Sequence, residues 1–98
     1  MKFDLIWSRR ARENLRGFSK REQQRIVDEI CSQLLHNPDV ETRNRKLMEP
    51  NDLATWELRI GDVRLFFDIN TDAATVELVA IGKKSRNVLR IGGEEIQQ

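Results

Sequence analysis

The stretch WELRIGDVRLFF, residues 56–67, decides how the chain folds. Apolar and charged residues alternate up to Gly61-Asp62 and alternate again after it, the period-two pattern of two half-buried strands joined by a short turn. A two-residue turn with glycine first pairs Ile60 with Val63, Arg59 with Arg64, Leu58 with Leu65, Glu57 with Phe66 and Trp56 with Phe67. Trp56, Leu58, Ile60, Val63, Leu65 and Phe67 then share one face, suited to packing on helices. Glu57, Arg59, Arg64 and Phe66 share the other. Two arginines directly opposite each other repel, on a scale of roughly 0.2–1 kcal/mol for cross-strand pairs. Glu57, beside Arg59 and diagonal to Arg64, can neutralise the pair, and so can an anionic ligand. The face is expected to meet something anionic.

Working outward, residues 2–7 (KFDLIW) place Phe3, Leu5 and Trp7 on one side of a first strand. Ser8 can cap the next element, where Ala11, Leu15 and Phe18 recur at helical spacing and Gly17 lies near the end. Ser19 and Glu22 fit a capping box for a second helix. Ile26, Val27, Ile30, Cys31, Leu34 and Leu35 form its apolar stripe, and Asn37-Pro38 stops it, because proline disfavours the helical conformation in the residue before it. Two antiparallel helices joined at Gly17–Ser19 follow. Residues 39–54 lack periodicity and read as a loop. After the hairpin, Asn70 to Ala74 supply a turn and residues 75–81 (TVELVAI) a third strand. Gly92-Gly93 reads as a turn, and the tail from Gly92 to Gln98 as polar and exposed. The expected fold is α+β: a strand, a helical hairpin, then an antiparallel sheet of three strands.

The chain has 98 residues, enough for a single domain spanning 1–98. Hydrophobic residues make up 39% and charged residues 34%, yet the formal net charge is only +1 at pH 7. A basic surface must therefore be local. The lone Cys31 excludes an internal disulfide, and its place in the helical stripe implies a buried structural thiol. No apolar run approaches the ~20 residues of a membrane span. The first residues, MKFDLIWSRR, are charged too early for a signal peptide, which implies a cytoplasmic protein.

Lys83, Lys84, Arg86 and Arg90 put four cations within eight residues after Gly82, with no anion among them. In an antiparallel sheet the end of the third strand returns beside the start of the second, so Lys83 and Lys84 should emerge near Arg64 and Arg59. Arg43, Arg45 and Lys46 of the preceding loop could drape over the same face. Such a cluster attracts a phosphate backbone, and Phe66 would offer a ring for a base to stack on. Arg9, Arg10, Arg12 and Arg16 on the first helix read as a solvated face or a second basic surface. The single histidine, His36, is placed to interact with a helix terminus. There is no tyrosine, no His/Cys metal spacing and no phosphate-cradling glycine loop, so neither a metal nor a cofactor is expected.

Nearly the whole chain resembles the RelE/ParE superfamily of toxins from bacterial type II toxin–antitoxin modules. The resemblance rests on the opening strand with Trp7-Ser8, on Ala11 and Leu15, on Ile26 with Leu34, and on Asn37-Pro38. Its most specific parts are residues 56–64 and Ile81-Gly82-Lys83-Lys84, extended by Asn87 to Glu94. It implies a partner antitoxin that wraps the toxin. In RelE-like members the concave sheet face binds messenger RNA on the ribosome and promotes attack of a ribose 2′-hydroxyl on the adjacent phosphate, without metal. By position, Arg59, Arg64, Lys84 and Arg86 fall on the family's basic catalytic positions. Arg43, Arg45, Lys46, Phe66, Lys83 and Arg90 would bind RNA. An arginine there could stabilise developing phosphoryl charge, and a lysine crowded by cations could transfer a proton. Thr55 and Glu57 stand where such ribonucleases often carry lysines, and Arg90 where they often carry tyrosine. Two other readings thus stay open: a ParE-like inhibitor of DNA gyrase, and an inactive antitoxin-binding module.

Overall fold

The computed structural model describes residues 1–96. They run β1 (Asp4–Trp7), α1 (Arg9–Arg16), α2 (Lys20–Leu34), β2 (Arg45–Leu47), β3 (Trp56–Ile60), β4 (Val63–Asn70), β5 (Thr75–Ser85), β6 (Val88–Ile91) and β7 (Glu94–Ile96). Strands β2 to β7 form one antiparallel sheet in sequence order, while β1 lies parallel to β5. None of the described helices is long and apolar enough to cross a membrane.

The β3–β4 register is the expected one at all five positions, Arg59 opposite Arg64 included. Gly61 supplies the left-handed backbone of the turn, with φ +60°. The α+β class and the helical hairpin also match the sequence reading, but the sheet has more than three strands after the helices. β5 does not stop at residue 81; it continues to Ser85 and pairs with β6. Residues 83–90 are therefore a second hairpin rather than a loose cationic segment. Its two-residue turn is Arg86-Asn87, both left-handed at φ 52° and 65°. That conformation is usually announced by Asn-Gly, so the pattern gave little warning. Part of the 39–54 segment also pairs with the sheet, as β2. The tail is likewise not free: Glu94–Ile96 pairs with β6 through the Gly92-Gly93 turn, and Gln97–Gln98 lie outside the described residues.

Each helix begins at a serine. The Ser8 hydroxyl accepts from Ala11 N at 2.9 Å, and the Ser19 hydroxyl accepts from Glu22 N at 3.2 Å. Glu22 does not return the bond to the Ser19 amide; its carboxylate accepts the Ser19 hydroxyl instead. Two expectations for α2 fail. Cys31 is exposed, because the stripe that buries Ile26, Ile30 and Leu34 passes it by. His36 lies beyond the helix, bridging to Lys2 through the backbone rather than meeting the terminus.

The main core fills the space between the helices and the sheet, with Ile26, Ile30 and Leu34 against Trp56, Leu58, Leu65, Phe67, Val76 and Leu78. Trp56 and Phe67 stack at 5.9 Å between centroids. A second, smaller core lies on the outward face of the sheet, formed by Phe66, Ala80, Leu89 and Ile91 beneath Met48, Leu53, Ala54 and Ile96. The pairing of β4 with β5 slips by one residue between Phe66 and Phe67, leaving Val79 unmatched. The extra residue on β5 sends Leu78 to the inner core and Ala80 to the outer one, so each stays opposite its β4 partner, Phe67 and Phe66, both fully buried.

Gly82 allows β6 to approach. A Cβ there would stand 2.7 Å from the Arg90 carbonyl oxygen and 2.8 Å from Ile91 Cγ1. Gly82→Ala is therefore expected to destabilise the fold by about 1–3 kcal/mol, measured as a loss in urea denaturation. Arg86→Gly removes a non-glycine residue from a left-handed turn and should leave stability unchanged or higher in the same measurement.

Candidate functional site

The outward face of the β3–β4 hairpin was the expected site, and its cations are there, though not free. Arg59 is about half exposed and its Nε lies 3.3 Å from Glu57 Oε1, a carboxylate only 16% exposed. Glu57 also sits directly opposite Lys46 in the β2–β3 register. Arg64 folds back over the turn, donating from one Nη to the carbonyls of Gly61 at 2.6 Å and Val63 at 3.1 Å. The repulsion between the two arginines is thus relieved within the hairpin, by a carboxylate on one side and turn carbonyls on the other. From beyond the turn, Arg25 of α2 approaches Gly61, with its guanidinium 3.2 Å from where a Cβ would stand.

Lys84 reaches the same end of the sheet: its amide donates to the Asp62 carbonyl at 2.8 Å. Arg86 is exposed at the tip of the next hairpin. Arg59, Arg64 and Lys84 therefore share one face near one end of the sheet, with Arg86 at its rim. Lys83 does not join them. It stands opposite Val63 and so points to the helix side, where its Nζ is 3.8 Å from Glu22 Oε2. Arg90, its register partner on β6, is paired with Glu95 at 3.9 Å. The strand pleat separates Lys83 from Lys84, so the two do not crowd each other.

The 43–46 cations also divide. Arg43 is exposed, and Lys46 is exposed on the outward face. Arg45 is buried, donating to the Val40 carbonyl at 2.7 Å and to the Gln33 carbonyl of the last turn of α2. Burial pushes its pKa down from the ordinary arginine value, with nearby Asp39 acting in the opposite sense. An arginine so held ties α2 to the sheet; it is not presented to RNA. Phe66 corrects the expectation most clearly. Its ring is 0% exposed, closed over by the 48–54 segment and β7, and no base can stack on it. Beside it, a shallow concavity of about 410 Å³ is lined by Met48, Leu53 and Ala54 together with Glu49, Asp52 and Asp68, carboxylates that would repel a phosphate.

Two polar side chains hold the frame together, Asn14, which sequence reading did not single out, and Ser8, which has a second role beyond its cap. Asn14 Oδ1 accepts from Ile81 N at 3.0 Å, and Ser8, beyond capping α1, donates its hydroxyl to the Val79 carbonyl at 2.8 Å. Asn14 was detectable in principle, being a polar residue on the inward stripe of Ala11, Leu15 and Phe18.

The family model described as ParE toxin of type II toxin–antitoxin system, parDE, matches residues 5–88. The chain belongs to that family. The toxin also shares its fold with two solved structures. One is the RelBE2 toxin–antitoxin complex from Mycobacterium tuberculosis, with a TM-score of 0.73, 20% identity and coverage of 86% of this chain and 100% of the other. The second is the RelE–RelB complex from Pyrococcus horikoshii OT3, with a TM-score of 0.70, 16% identity and coverage of 88% and 99%. No curated protein matches the toxin by sequence. The resemblance read from residues 56–64 and 81–84 therefore holds at the level of superfamily and fold.

Stability separates structural from functional cations. Arg45→Met leaves two partly buried carbonyls without their donor and should cost about 1–3 kcal/mol in urea denaturation. Phe66→Ala should cost about 3–5 kcal/mol, as for a core aromatic. Arg59→Gln, on an exposed pair, should stay within about 1 kcal/mol of the parent.

Proposed function

We propose that the toxin arrests growth by binding a protein target, DNA gyrase in the ParE branch, rather than by cutting messenger RNA. The observation that carries this reading is the closed outward face. Phe66 lies under the 48–54 segment, and Arg59 and Arg64 are engaged by Glu57 and by turn carbonyls. A 2′-hydroxyl attack needs a base to accept a proton and an acid to supply one to the leaving oxygen. On this face the charged side chains are guanidinium groups, one carboxylate already paired, and two lysines, Lys46 opposite that carboxylate and Lys84 near the turn. The match to the ParE family model supports the same choice. What favours the ribonuclease reading is that Arg59, Arg64 and Lys84 do share a face with Arg86 at its edge, an arrangement that could clamp a phosphate.

The partner is an antitoxin. The two similar solved structures are toxin–antitoxin complexes, and an acidic antitoxin segment laid over Arg59, Arg64 and Lys84 would offset their charge and cover the site. The toxin works in the cytoplasm, where its target is.

Incorporation of labelled thymidine and of labelled amino acid after induction separates the two mechanisms. Thymidine incorporation is expected to fall first, with plasmid supercoiling disturbed and protein synthesis initially intact. An immediate fall in amino-acid incorporation with fragmented messenger RNA would make it a ribonuclease. Arg64→Gln should weaken arrest while the protein stays folded, since Arg64 is half-exposed at the turn that a partner would meet.

A further inference from the structure

The modest net charge conceals a strong segregation. Residues 8–21 hold six of the 17 cations and one of the 16 anions, so this short stretch carries +5 while the rest of the chain carries −4. It comprises α1, the tip of the helical hairpin and the first two residues of α2, all remote in sequence from the β3–β4 hairpin.

α1 is rigidly placed to present these charges. Ala11 is fully buried, Leu15 packs against the core, and Ser8 and Asn14 bond the helix to β5. With its inward side fixed, the 100° step of the helix puts Arg9, Arg12 and Arg16, at i, i+3 and i+7, together on the opposite side. All three are exposed, and Arg9 is 87% so. The row spans about 10 Å along the axis. Lys20 and Arg21, both exposed, continue it around the hairpin tip. The single anion, Glu13, is engaged by Arg9 at 3.1 Å, an exposed pair that costs little to exchange.

We propose that this helix face binds the phosphate backbone of duplex DNA, independently of sequence and of the target chosen above. Several features select that ligand among anionic partners. A protein interface is anchored by buried apolar or aromatic residues, and the large exposed hydrophobics, Met1, Ile6, Val40 and Leu47, all lie outside α1 and the hairpin tip. A membrane surface would require an apolar face beside the cations, and here the apolar side of α1 is buried in the fold. Single-stranded nucleic acid is held by stacking on aromatic rings, whereas the exposed residues of this face are arginine, lysine and one glutamate. A rigid row of guanidinium groups with no apolar centre fits a regular array of phosphates.

The test is fluorescence anisotropy of the full-length toxin with a labelled DNA duplex of about 30 base pairs, titrated across salt concentrations. The parent protein should bind, with affinity falling steeply as salt rises. The triple variant Arg9→Gln/Arg12→Gln/Arg16→Gln should bind more than tenfold more weakly at low salt. Its slope of log affinity against log salt should be shallower by about 2 to 3, as for three lost phosphate contacts. The corresponding Arg→Lys triple variant preserves the charge and should keep the slope, and Glu13→Gln should tighten binding several-fold. The single variant Arg12→Gln, with a slope loss of about 1, serves if the triple variant does not fold. Unchanged affinity and slope in a folded triple variant, or loss of binding only in Arg59→Gln/Arg64→Gln, would overturn the proposal. So would a parent protein that ignores duplex DNA but binds poly-glutamate, which would make this a docking face for an acidic protein.

Discussion

The edge of β5 that faces away from β4 must be satisfied along 11 residues, and no single strand does it. β1 covers residues 75–78 in parallel, and β6 covers 82–85 antiparallel. Between them the backbone would be left with buried, unpaired polar groups, each costing roughly what a lost hydrogen bond costs. Ser8 and Asn14 close the gap: the Ser8 amide meets the Leu78 carbonyl, the Ser8 hydroxyl the Val79 carbonyl, and the Asn14 side chain the Ile81 amide. The bulge at Val79 falls in this same interval. Everything else depends on this join, because it fixes α1 on the sheet and sets where β6 can begin.

From that join the two faces of the sheet acquire different characters. The inner face is an ordinary core of helix stripe on strand. The outer face would be open if β5 ended early, but its continuation brings β6 and β7 alongside and completes a second small core with the 48–54 segment. Polar and charged groups are thereby driven to the rim, near the two hairpin turns. Arg64 and Lys84 gather there, and Arg86 takes a turn position that a bulky residue rarely occupies.

Charge is distributed by the same logic. The helical hairpin is basic and the remainder acidic, so the toxin presents two cationic surfaces, one on α1 and one at the β3–β4 turn, with Arg25 of α2 approaching that turn from the helix side. The two surfaces differ in chemistry. At the turn, cations are partly engaged by carbonyls and carboxylates close to an apolar cluster, which suits a protein partner. On α1 they stand in a row in water. Fields of this kind accelerate encounter with anionic partners and weaken with salt.

The sequence by itself determined what is local. Strict alternation around Gly61 settled the β3–β4 register to the residue, since a one-residue slip would turn Trp56, Leu58 and Leu65 to solvent. The serine caps and the 3.6-residue stripes gave both helices, and the ordered motifs gave the superfamily. Only the tertiary structure decided what depends on meetings between distant segments. Phe66 looked like an exposed ring because its own strand alternates; its burial comes from residues 48–54 and 96, which no period connects to it. Arg45 looked like one more surface cation, and only the approach of the Gln33 carbonyl at the end of α2 made it a buried tie. Lys83 and Lys84 were neighbours in a cationic run until β5 extended through them, and the pleat sent one to each face. Which face a residue points to is written in the chain, but what covers that face is decided by packing.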